Sequence, residues 1–216
     1  MTKPTRKAIA KAILNSHGKT YAQQIGIRLR NAPAPLFQLL SVSLLVSGRI
    51  SADQAVQAAA ALRQADVDTP RKMADTTWRR RIDSITAGMS RRFERKGSTR
   101  LGQTAQRLMQ RYDGDLRKLR SEAGPNVTRQ RQLLQQFQGM SATGADLFLR
   151  EVQGIWGEVY PYADQHVIQA ARKLELPPSP EYLARLVPRA DFPRLVAGIV
   201  RVELASAHDH VLQNAA

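Results

Sequence analysis

The longest apolar run of the chain, 36–46, is broken only by Gln38, Ser41 and Ser43 and has no polar face. A run that is apolar all round predicts a buried central helix. Leucine dominates it and it outruns an ordinary strand, so helix is preferred. Elsewhere apolar residues recur at helical spacing. The pattern predicts helices over 77–89, 99–112, 128–137, 144–155, 164–174 and 192–207, and a basic first helix around Ala8, Ile9, Ile13 and Leu14. Ser51 ahead of an alanine-rich stretch, Thr69-Pro70 and Ser179-Pro180 read as helix starts, each a hydroxyl cap and two of them followed by proline. Asp113-Gly114 and Gly124-Pro125 read as turns. The basic, polar stretch 88–99 is expected to be a mobile loop. No segment alternates as a strand would and no repeat is evident, so the expected fold class is all-α, with short helices and short connections.

A length of 216 residues with 43% hydrophobic content supports one or two small domains with a packed core. The absence of cysteine excludes disulfides, thiol catalysis, zinc fingers and iron–sulfur ligation by thiolates. No run approaches the roughly 20 apolar residues a bilayer requires. Lys11 breaks the apolar part of the N-terminus, which argues against a secretory signal.

Charge sharpens the picture. The formal net charge is +15, and arginine outnumbers lysine 25 to 8. Residues 71–131 hold 17 basic and 6 acidic side chains, while 132–216 hold 7 and 9. A concentrated basic surface on a folded domain is the footprint of a polyanion binder, and the planar arginine fork suits phosphate. Nucleic acid is favoured over an anionic membrane, because no basic amphipathic helix with aromatic anchors stands out. The expected location is cytoplasmic and nucleoid-associated.

The stretch Phe137-Gln138-Gly139-Met140-Ser141-Ala142-Thr143 falls between two expected helices. A tight glycine turn there can aim backbone amides at a phosphate. Downstream, Asp164 opens a helix in Ala163-Asp164-Gln165-His166-Val167, where an ordinary cap would also explain it. Together, and in this order, the two segments resemble the hairpin and the catalytic aspartate segment of endonuclease III-like helix-hairpin-helix DNA glycosylases. The buried helix from Pro35 to Ser47, Thr69-Pro70 and Tyr112-Asp113-Gly114-Asp115 fall where similar segments lie, so the resemblance covers most of 33–175.

The resemblance implies two helical subdomains flanking a DNA-binding cleft. One would be a six-helix domain over 33–157 ending in the hairpin; the other would be built from 1–32 and 158–216. It implies Asp164 as the catalytic carboxylate, stabilising positive charge on the deoxyribose as an N-glycosidic bond breaks. A helix N-terminus is a favourable place for that negative charge. Gly139, Met140, Ser141, Ala142 and Thr143 would meet the DNA backbone, with Arg91 and Arg92 adding charge. Arg49 would wedge into the vacated stack or contact phosphate. His166 would orient the loop, touch DNA or sit on the helix surface.

Departures refine the expectation. Thr143 stands where bifunctional members carry a lysine nucleophile, so β-lyase chemistry by that route is not expected. Ser141 replaces the second hairpin glycine, and the family's four-cysteine cluster cannot form. With these departures the resemblance implies a monofunctional glycosylase acting on double-stranded DNA that contains a damaged base, expected as a monomer without cofactor or metal. The alternative is a catalytically silent DNA-binding protein on the same scaffold. His208-Asp209-His210 is a weak metal motif. Trp156, Tyr160 and Tyr162 either pack or stack on a base, and Trp78 is expected to turn its ring inward.

Overall fold

The computed structural model describes residues 3–48, 50–85 and 91–215, with Arg91 and Arg92 described by backbone alone. Among these residues every regular element is helical. The chain forms two compact units, one of Met1–Thr20 with Leu149–Ala216 and one of Tyr21–Phe148. Among the described residues, no helix is long and apolar enough to cross a membrane.

The chain opens with α1 (Arg6–His17), capped by the Thr5 hydroxyl, which accepts from the Ala8 amide. Ile9, Ala10 and Ile13 line its buried face, and Lys7 and Lys11 its exposed one.

The unit Tyr21–Phe148 is built around one apolar helix. It contains α2 (Tyr21–Gln24), α3 (Pro33–Val46), α4 (Ala52–Gln64), α5 (Pro70–Asp75), α6 (Trp78–Ile85), α7 (Arg91–Tyr112), α8 (Leu116–Ala123), α9 (Val127–Gln135) and the start of α10 (Ala142–Val152). Leu36, Phe37, Leu39, Leu40 and Val42 of α3 are wholly buried, because α4, α7 and α8 pack around it. Its two buried serines cost little, since Ser41 and Ser43 donate to the Phe37 and Leu39 carbonyls at 2.9 and 2.8 Å. Ser51 forms a capping box with Gln54, and Thr69 caps α5, as the sequence pattern predicts.

Part of the expected loop is helical. Residues 91–99 belong to α7, while 88–90 lie outside the described residues. Polar contacts hold this half of α7, so hydrophobic patterning did not register it. Arg81 of α6 is buried and donates to the carbonyls of Ser98 (3.1 Å), Met73 (3.2 Å) and Thr76, and Ser98 donates back to the Trp78 carbonyl. Desolvation lowers the Arg81 pKa from its ordinary value. Its guanidinium fills the space where Gly102 lacks a Cβ; a Cβ there would lie 2.6 Å from it. With Arg81 and Ile85 buried on α6, Trp78 is left at the seam and remains 43% exposed, contrary to the inward orientation expected. The short α8, with its stripe of Leu116, Leu119 and Ala123, was not anticipated either.

The other unit joins α1 to the end of α10, a short 3-10 turn at Gly157–Val159, α11 (Gln165–Lys173), α12 (Pro180–Ala184), α13 (Phe192–Leu204) and α14 (His208–Ala215). Here α1 packs on α13 and α14, and α11 on α13. Ile9, Ile13, Val167, Leu174, Phe192, Leu195, Ile199 and Val211 make a continuous core.

Candidate nucleic-acid interface

A tight connection links α9 to α10. Phe137 is buried and anchors it, Gly139 turns it at φ +88°, and the Met140 amide donates to the Phe137 carbonyl at 3.0 Å. That φ lies where a Cβ is strongly disfavoured, which explains glycine at this position. Arg131 of α9 grips the Asp146 carboxylate with two bonds, at 2.5 and 3.0 Å, and so fixes the two arms.

The turn is also latched onto α3. The Ser47 hydroxyl accepts from the Ser141 amide at 3.1 Å and from the Ser141 hydroxyl at 3.0 Å, and donates to the Ser43 carbonyl at 2.9 Å. Ser141 in turn accepts from the Gly144 amide at 3.1 Å, acting as a cap for α10. The amides of Met140, Ser141 and Gly144 are therefore spent inside the unit. The Gly139 amide has no partner among the described residues. Ala142 and Thr143 are exposed in the first turn of α10, where amides are orphaned by position.

A cation lies across this turn. A Cβ on Gly139 would come within 2.5 Å of Arg100 Cδ and Nε and 3.0 Å of Cζ, and one on Gly48 would be 3.9 Å from Arg100 Nη1. Arg100 is half-buried and has no acidic partner among the described residues. Arg107 and Arg111 follow at helical spacing on the same face of α7 and converge on Gln136 Oε1 at 3.3 and 2.7 Å. Arg111 is partly neutralised by Glu122 at 2.7 Å. In the sequence these arginines registered only as charge; their spacing was the signal that they share one face.

Of the expected site residues, Gly139 and Ser141 thus meet Ser47 and Arg100. The Met140 side chain is turned inward at 6% exposure. Arg49 and the side chains of Arg91 and Arg92 lie outside the described residues.

Asp164 and His166 belong to the other unit. Asp164 caps α11, its Oδ1 accepting from the amides of His166 at 2.9 Å and Val167 at 3.4 Å. Its Oδ2 lies 3.0 Å from Arg150 Nε, and both side chains are 5% exposed. This contact is ionic but poorly directed, so Oδ2 is buried without an aligned hydrogen bond. Gln153 holds the preceding loop in place, accepting from the Tyr162 amide at 2.8 Å and donating to the Tyr162 carbonyl at 3.1 Å. Sequence reasoning missed Arg150, which stands one turn after Asp146 on α10 in a pattern that gives no hint of Asp164. His166 is exposed on the helix surface.

Trp156 is wholly buried, and Tyr160 packs edge-on to Phe192 at 5.4 Å with Arg189 over its ring at 4.3 Å. These two rings serve packing. His208 bonds Glu203 at 2.7 Å, and no cluster of three or more metal-ligating side chains occurs among the described residues.

Comparison of the chain with protein-family models and with curated proteins gives no match.

Proposed function

We propose that this protein is a DNA repair glycosylase that binds duplex DNA, turns a damaged base out of the stack and hydrolyses its N-glycosidic bond. The observation that carries this reading is the state of Asp164: a pre-positioned carboxylate at a helix N-terminus, one oxygen bound to amides and the other left without a well-aligned donor. A buried acceptor without an aligned donor calls for an explanation, and a functional role supplies one. Charge on Asp164 would stabilise the oxocarbenium-like sugar while the C1′–N bond breaks and water adds to C1′, the proton the water loses balancing the one the departing base takes up. The α9–α10 turn would hold a backbone phosphate with the amides of Gly139, Ala142 and Thr143, and Arg100 would supply charge where the Ser141 amide is spent on Ser47. A nucleoid-associated location follows from that role.

A second reading, a silent DNA-binding protein, is favoured by the same residue's burial. At 5% exposure and beside Arg150, Asp164 is also a structural cap and an ion-pair partner. Turnover separates the two: duplexes carrying a panel of damaged bases release free base under the first reading, and are bound without release under the second. Borohydride should trap no covalent adduct, because Thr143 offers no amine.

A further inference from the structure

We infer that Trp78, with Arg79 and Arg95, forms a contact surface for single-stranded nucleic acid, the indole ring stacking on an unpaired base. The ring is fixed rather than loose. Its Nε1 donates to Thr99 Oγ1 at 3.1 Å, and the Trp78 carbonyl accepts from Ser98 Oγ at 3.1 Å. Buried Arg81 anchors the helix beneath. The indole's one polar atom is satisfied internally, and the residue as a whole stays 43% exposed.

Cations neighbour Trp78 on α6 and α7. Arg95 lies one turn before Thr99 on the same face of α7, is exposed, and has no acidic partner among the described residues. Arg79 adjoins Trp78 on α6; its ion pair with Asp83 spans 3.9 Å between side chains 84% and 64% exposed, loose enough to yield to a phosphate. Stacking on an aromatic ring with basic side chains along the backbone is how unpaired strands are held without sequence preference, and a paired base offers no such face. A membrane fits less well. Trp78 is the only large apolar side chain markedly exposed among the described residues of its unit, too little to insert in a bilayer. The inference does not rest on the hairpin reading, since it concerns a different side-chain cluster and an unpaired strand.

The protein reports on this surface itself. It has two tryptophans, and the other, Trp156, is wholly buried. Titrating the full chain with a mixed-sequence single-stranded oligonucleotide should quench Trp78 emission, and the matching duplex should quench it far less. By anisotropy of a labelled single strand, Trp78→Ala should bind about tenfold more weakly, and Trp78→Phe should recover most of the affinity. Arg172→Ala, exposed on α11 of the other unit, should leave the quenching unchanged. Unaltered affinity in a folded Trp78→Ala variant overturns the inference. So does equal quenching by duplex, or quenching by phosphatidylserine vesicles in place of the oligonucleotide.

Discussion

Asp164 and Arg150 are both buried and face each other at 3.0 Å, so removing either leaves a buried charge without this ion pair. Asp164→Asn and Arg150→Met should each cost about 3–5 kcal/mol in urea unfolding, and the double variant markedly less than the sum. Additive losses would show that the pair does not interact. Gly139→Ala places a methyl 2.5 Å from the Arg100 side chain at a φ of +88°, and should destabilise by about 1–2 kcal/mol while weakening duplex binding. The cap at Asp164 was legible because an aspartate ahead of an apolar run has a local meaning. Its partner was not, because Arg150 meets it through tertiary packing that no local spacing encodes. Ser47 escaped notice for the same reason: its hydroxyl reaches Ser141 from a distant segment.

Between elements, the joint of α7 and α8 depends on a neutral phenol. Tyr112 donates to Glu122 Oε2 at 2.9 Å. Burial first, then the hydrogen bond and charge of Glu122, push its pKa from 10.0 up to about 12, against the opposing pull of Arg111 and Arg107. As pH rises from about 10 to 12, the unfolded chain loses this proton while the folded protein keeps it. The associated stability is complete below pH 10 and is lost through that window. The urea midpoint should fall there, and Tyr112→Phe should remove much of the fall; an identical slope in the variant would contradict the assignment. Helix starts were the most readable elements, since Ser51, Thr69 and Ser179 each cap where the pattern put them. The first half of α7 was misread, because buried Arg81 and Ser98 tie it down instead of an apolar stripe.

For the molecule as a whole, a net charge of +15 concentrated in 71–131 predicts duplex binding that weakens steeply with salt. If Arg100 meets one phosphate, Arg100→Ala should lower the slope of log affinity against log salt by about 0.9. An unchanged slope would remove Arg100 from the interface. The all-helical class was legible from periodicity and the absence of alternation, whereas the candidate site rests on tertiary pairings that periodicity does not carry. The most direct measurement is single-turnover base release from lesion-bearing duplexes, comparing wild type with Asp164→Asn at matched folded fraction by circular dichroism. Release by the wild type and at least a hundredfold loss in the variant is the predicted result; equal rates, or tight binding with no release from any lesion, would contradict catalysis by Asp164.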